Sequence, residues 1–275
     1  MAVPELHSRS ASGFPGARSV GGVGGHIGAP HPNAALVLEG VTRTFGALRA
    51  IEDISFSVAV GERRAVIGAN GAGKTTLFNV VTGDFPATQG RVRFFGEDVT
   101  VLPSHERIRM GLRRTYQSSL LFRDLNVQDN LFLAVRGVSR NRFSFLRASP
   151  NGPVRELLER VRLTHEATSP VAALSHGQQR QLEIGMALAG APRLILFDEP
   201  AAGLSPGERG ELVALLRDLP AHIGFVLIEH DLDIALRVVD RVTVLHNARV
   251  LKHGSPAEIE NDAEVQAIYM GERRH

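Results

Sequence analysis

Between positions 35 and 95 the apolar residues fall in short, largely β-branched clusters. ALVLEGV (35–41), ISFSVAV (54–60), RAVIG (64–68) and RVRFF (91–95) are separated by Gly-containing turns, a pattern that predicts strands. From about 117 to 190 that pattern gives way to helical spacing in VQDNLFLAV (127–135), PVRELLERVRL (153–163) and GQQRQLEIGMALAG (177–190). In the last of these, Leu182, Met186 and Ala189 share a face and Gly190 is a candidate C-cap. LILF (194–197) and FVLI (225–228) then predict buried strands, with ERGELVALLRDL (208–219) as a crossover helix between them. Strand, helix and strand in this order argue for a parallel sheet. Residues 1–33, rich in Gly, Ser, Pro, Ala and His without apolar period, predict a disordered tail ahead of a folded domain at 34–275.

Composition narrows the classes. A chain of 275 residues, 43% hydrophobic and 22% charged, can bury one large core or a core with a smaller subdomain. With no cysteine, neither a disulfide framework nor a thiolate metal site is possible. No apolar run approaches the roughly 18 residues of a membrane-spanning helix, and residues 1–33 hold no signal-like apolar core. The net charge of +2 does not by itself imply nucleic acid. It is uneven, however: residues 91–147 contain eleven arginines, no lysine and five acids. That segment is either a solvated basic surface or one that faces an anionic partner or membrane.

The strongest chemical signal is GANGAGKTT, Gly68 to Thr76, which fits GxxxxGK[ST] between the strand RAVIG and the helical TTLFNVVTG. Gly68, Gly71 and Gly73 allow tight turns, so that the amides of the loop, Asn70 and Ala72 included, can aim at phosphate oxygens. Lys74 is spaced to reach β- and γ-phosphates, Thr75 to ligate Mg²⁺, and Thr76 to continue the helix whose N-terminal dipole favours an anion. LILFDEP adds Asp198 at a strand end, suited to support Mg²⁺, and Glu199, suited to act as general base. His230 follows the strand FVLI; the run Glu229, His230, Asp231 admits a metal cluster or a solvated strand end as well as catalysis. Ser175 beside His176 in LSHGQ is not a nucleophilic dyad, because adjacent side chains generally diverge and no GxSxG elbow is present.

Together these stretches resemble the ATP-binding cassette (ABC) ATPases from about Ala35 to Glu272, with the motifs in family order. LSHGQ is similar to the family signature LSGGQ, with His176 in place of its first glycine. The resemblance implies that Ser175, the Gly177 amide and Gln178 contact the γ-phosphate of ATP held by a second subunit. It likewise implies that Gln117 in RRTYQ senses Mg²⁺ and attacking water, that His230 is the switch histidine, and that Phe45 stacks on adenine, where tyrosine is more usual; core packing is the alternative for Phe45. Ser205 stands where the family usually has its D-loop aspartate. The segments LSHGQQRQLEIGMALA, DEPAAGLSP, LIEHDLDIAL and GSPAEIENDAEVQAIYMGE are together similar to ATP-binding subunits of importers for branched-chain amino acids, urea or amides.

The expected fold is therefore α/β: a P-loop core sheet, an antiparallel β portion near the N-terminus, and a helical subdomain at about 117–190. The expected activity is ATP hydrolysis with Mg²⁺ in a peripheral subunit on the cytoplasmic face of a membrane. Its expected partners are permease subunits, a second ATP-binding subunit, identical or paralogous, and a substrate-binding protein acting through the permease; nucleic acid is not among them. One P-loop and one signature cannot complete head-to-tail sites within one chain. The alternative is a soluble P-loop ATPase or kinase not coupled to transport.

Overall fold

The computed structural model describes residues 33–116, 120–138 and 151–272. All but the last residue of the expected disordered tail, and Gln117, lie outside them. In chain order the elements are β1 (Ala34–Phe45), β2 (Leu48–Ala59), β3 (Arg63–Gly68), α1 (Lys74–Thr82), β4 (Gln89–Phe94), β5 (Glu97–Asp98), α2 (Ser104–Arg109), β6 (Leu112–Arg114), α3 (Val127–Gly137) and α4 (Asn151–Arg160). There follow α5 (His176–Leu188), β7 (Leu194–Asp198), α6 (Pro206–Arg217), β8 (Gly224–Ile228), α7 (Leu232–Val238), β9 (Arg241–His246), β10 (Arg249–Gly254), α8 (Pro256–Glu260) and α9 (Ala263–Glu272).

The strands form two sheets. An antiparallel sheet runs β2-β1-β4-β5, and a six-stranded sheet runs β10-β9-β3-β8-β7-β6, parallel from β9 to β6 with β10 antiparallel at its edge. The central parallel strands are apolar almost throughout because both of their faces are covered. Alternation along them divides the core in two. Val66, Leu194, Leu196, Val226 and Ile228 point toward the antiparallel sheet and α1, where they meet Leu36, Ile54, Leu77 and Phe78. Ala65, Ile67, Ile195, Phe197, Phe225 and Leu227 point to the other side, against Leu131, Leu182, Leu212 and Val238 from the helices.

Within the middle of the chain, α3, α4 and α5 pack on one another through Val127, Leu131, Leu157, Leu158, Leu182 and Leu188. Of the face expected on α5, Leu182 and Ala189 are buried and Met186 packs at its margin. That helix ends with Ala189 as its cap, and Gly190 follows at φ +72°. Parallel registry is what matters for function: β3, β7 and β8 all end at one edge of the sheet, with Asp198 paired to Ile228. The segments just past those ends are thereby brought together, as expected for sites in open parallel sheets.

Candidate functional site

The loop between β3 and α1 is built around glycine. A Cβ on Gly68 would lie 2.2 Å from the Leu245 carbonyl oxygen, and one on Gly73 would lie 2.4 Å from that of Ala50, so neither position tolerates a side chain. Gly73 caps α1 at φ +101° and supplies no side-chain hydrogen bond to the first turn. Helices α5, α6 and α8, by contrast, each begin with a serine capping box. The cap residue of α1 thus offers the first-turn amides no side-chain oxygen, an arrangement suited to an anion. Lys74 is buried and folds back over the loop, where its ammonium donates to the carbonyls of Gly68 (2.6 Å) and Ala69 (2.9 Å).

At the end of β7, Asp198 is 1% exposed and its Oδ2 accepts from Arg114 Nη2 at 2.7 Å. Its other oxygen, Oδ1, is buried without a hydrogen-bond partner. Burial drives the Asp198 carboxyl above the usual carboxylate range, and Arg114 opposes that rise. Arg114 also bonds Asn79 Oδ1 (2.5 Å) and Asp84 Oδ2 (3.3 Å) near the end of α1, and stacks against Tyr116 and Phe78. It therefore ties β6, α1 and β7 together and fixes the orientation of the Asp198 carboxylate. Sequence reasoning missed it, although a buried guanidinium three residues before Gln117 lies within the quoted RRTYQ.

Glu199 adopts φ +47°, uncommon for a residue with a side chain, and its amide donates to Ile228 O at 2.9 Å. The resulting turn sets Glu199 Oε2 3.7 Å from His230 Nδ1, with the carboxylate 20% and the imidazole 55% exposed. These two side chains thus face one open edge beside Asp198 and the loop. Their neighbours diverge. Glu229 points inward, accepts from Ala201 N at 2.8 Å and leaves Oε2 unpartnered, and burial raises its carboxyl to about 7. Asp231 caps α7 and pairs with Arg209. Among the described residues no three His, Cys, Asp or Glu side chains are placed to share a metal, which removes the cluster alternative for Glu229, His230 and Asp231.

Ser175, His176, Gly177 and Gln178 form the start of α5, away from this edge in their bonding. Ser175 and Gln178 make a reciprocal capping box, and Gln178 Nε2 also donates to Glu166 at 3.1 Å. His176 is the exposed first residue of the helix, an ordinary right-handed conformation that needs no glycine. Ser175 Oγ and Gly177 N both donate to Glu208 of α6, at 3.1 and 2.8 Å. Phe45 lies at the end of β1, 39% exposed and outside both core clusters, edge-on to Phe85 with the Arg43 guanidinium 4.4 Å from its ring centre.

Residues 51–202 match the family described as ABC transporter. The chain belongs to the ABC transporter family. It is 36% identical to the high-affinity branched-chain amino acid transport ATP-binding protein BraF of Pseudomonas aeruginosa over 249 residues, covering 86% of this chain and 98% of that protein. LivG of Salmonella typhimurium, named for the same transport, matches with the same identity and coverage. Among solved structures, an ATP-binding cassette of an ABC transporter in its ADP conformation superposes with TM-score 0.77 at 32% identity, covering 86% of this chain and 99% of that one. A nucleotide-free cassette gives TM-score 0.76, also at 32% identity, covering 86% and 98%.

As an ABC ATPase, the protein is an ATP-binding, ATP-hydrolysing subunit of a transporter. Among the described residues no helix is long and apolar enough to cross a membrane. Ser205, where the resemblance implies an aspartate, N-caps α6 through its hydroxyl, with Glu208 closing the capping box. Residues for the Mg²⁺ that the family implies are present: a buried carboxylate oxygen without a partner on Asp198 is a ready cation ligand, and Thr75 stands exposed in the first turn of α1.

Proposed function

We propose that two copies of this subunit, or this subunit and a paralogue, enclose two ATP molecules and drive a separate permease that imports branched-chain amino acids or related small solutes. The observation that carries the reading is the separation of two anion-binding ends. The uncapped start of α1 lies beside Asp198, Glu199 and His230, whereas Ser175 and Gly177 bond elsewhere in the same chain. In this reading a second ATP-binding subunit, identical or paralogous, brings its signature end to the loop end. The names of BraF and LivG support the substrate class.

In this reading the amides from Gly68 to Thr76 and the Lys74 ammonium hold the β- and γ-phosphates, Lys74 exchanging the Gly68 and Ala69 carbonyls for phosphate oxygens, while Phe45 stacks on adenine. Thr75 and Asp198 would hold Mg²⁺, with Gln117 beside it by resemblance; when bound, the ion neutralises phosphate charge. Glu199 accepts a proton from water as the water oxygen bonds to the γ-phosphorus and the bond to the β-phosphate oxygen breaks. His230, next to that carboxylate, stabilises the γ-phosphate oxygens as charge builds on them.

The subunit works peripherally on the cytoplasmic face, and a solute-binding protein delivers substrate to the permease. A groove of about 290 Å³, lined by Tyr116, Leu120, Leu121, Val138 and Met186, accepts a permease segment. Leu120, which lines this groove, is exposed apolar surface and suits an apolar partner. Size-exclusion chromatography of Glu199→Gln tests the pairing, because an amide cannot take the proton while the phosphate ligands stay intact. ATP should shift the variant to a dimer and ADP should not; a monomer with ATP demonstrably bound refutes the sandwich.

A further inference from the structure

The Glu208 carboxylate serves two helices at once. Its Oε2 accepts from the Ser205 amide (3.0 Å) and hydroxyl (2.8 Å), closing the cap of α6. Its Oε1 accepts from the Ser175 hydroxyl (3.1 Å) and the Gly177 amide (2.8 Å) at the start of the 13-residue α5. The approach to α5 is as close as a glycine allows, since a Cβ on Gly177 would lie 2.7 Å from that oxygen. No Lys, Arg or His among the described residues lies within ion-pair distance of it, so the charge is met by hydroxyl and amide donors and the helix ends. Those donors, the Ser205 amide foremost, hold the Glu208 carboxyl down at about 2, so it is an anion at neutral pH.

Hydroxyl and amide at a helix N-terminus are also what a phosphate oxygen seeks. We propose that Glu208 is a built-in anion that occupies the Ser175 and Gly177 donors of the separate subunit and must yield them to the γ-phosphate of the partner's ATP, so that its charge sets how much ATP pairing requires. The proposal rests on the paired reading above. Each donor has one hydrogen to give in this direction, and two anions at one helix end repel, so carboxylate and phosphate exclude each other. Displacement takes a rotation of the Glu208 side chain that carries its carboxylate away from α5, while α6 keeps the Ser205 hydroxyl as the acceptor of the Glu208 amide. A side chain placed 31 positions from Gly177 thereby makes signature engagement an exchange of one anion for another.

The test is an ATP titration of dimer formation by sedimentation velocity in the Glu199→Gln background. Glu208→Gln keeps a residue suited to the capping box but removes the charge. The ATP concentration at half-dimerisation should fall roughly fivefold to tenfold, the difference between charge-assisted and neutral hydrogen bonds. Glu208→Asp, with charge kept but Oε1 drawn back by one methylene, should lower it by a smaller factor and serves if the amide variant folds poorly. An unchanged or raised midpoint in the folded variants overturns the proposal; a rise would make Glu208 a brace that preorganises the signature. Ser175→Arg in the same background separates the two claims. If it abolishes the ATP dimer while Glu208→Gln leaves the midpoint unchanged, only the internal anion falls; if the dimer survives Ser175→Arg, the paired reading itself falls.

Discussion

Replacing Arg114 by methionine isolates what holds the Asp198 carboxylate in place. The two side chains are 5% and 1% exposed and meet at 2.7 Å, so this is a buried pair rather than a surface one. Removing one member of such a pair typically costs about 3–5 kcal/mol, because the remaining charge stays desolvated, against about 0–1 kcal/mol for an exposed pair. Arg114 also gives up its bonds to Asn79 and Asp84, which places the expected loss in the upper part of that range. The loss must depend on pH. Burial already raises the Asp198 carboxyl in the native protein, and without Arg114 it rises further. A carboxyl whose folded pKa lies above its unfolded value contributes stability below the unfolded pKa and loses it as pH climbs toward the folded one. The deficit of Arg114→Met should therefore be smaller near pH 4, where the lost Asn79 and Asp84 bonds remain, and grow with pH, by about 1.4 kcal/mol for each unit of further shift. Urea unfolding followed by circular dichroism at pH 5 and pH 8 measures it. The double variant Arg114→Met with Asp198→Asn should recover most of the loss, since no unpaired charge remains. A deficit below about 1 kcal/mol at pH 8, or an equal one at both pH values, refutes the argument.

Other sites give sharper functional readings. Glu229 is raised from an ordinary 4.5 to about 7, so it is neutral and stabilising at low pH and costs stability as pH rises from about 4.5 to 7. Glu229→Gln keeps an acceptor for the Ala201 amide and should flatten that slope, gaining up to about 3 kcal/mol over wild type at pH 8 relative to pH 4; thermal melts at the two pH values check it, and parallel profiles for both proteins would sink it. Phe45→Ala should raise the KM for ATP about tenfold, the scale of one lost base stack, while leaving Tm nearly unchanged because the ring lies outside the core. His176→Gly should keep ATPase activity within several-fold of wild type, as befits an exposed first helical residue, whereas Ser175→Arg should abolish it. Loss of activity in His176→Gly comparable to that in Glu199→Gln would assign the imidazole a chemical role.

What the chain announces by itself is whatever depends on neighbours in sequence. The glycine spacing of 68–76 encodes its loop because the turns are local, and their positive φ values at Gly68, Gly71 and Gly73 follow. The apolar runs at 194–197 and 225–228 encode strands covered on both faces, and the serines ahead of α5 and α6 encode caps. By contrast β6, with the sequence Leu-Arg-Arg, has no strand signature; it is a strand because β7 offers its unpaired edge, with Arg114 opposite Leu196. Arg114 meets Asp198 across 84 positions and Glu208 meets Gly177 across 31, contacts that no local period announces. Glu229 and His230 are adjacent, yet one is buried toward Ala201 and the other faces Glu199, because residues leaving a strand turn to opposite sides. Local motifs can supply the donors, the acid and the base. Which of them share a surface, and which charge is trapped without a partner, is fixed only when the strands take their order and water is excluded between them.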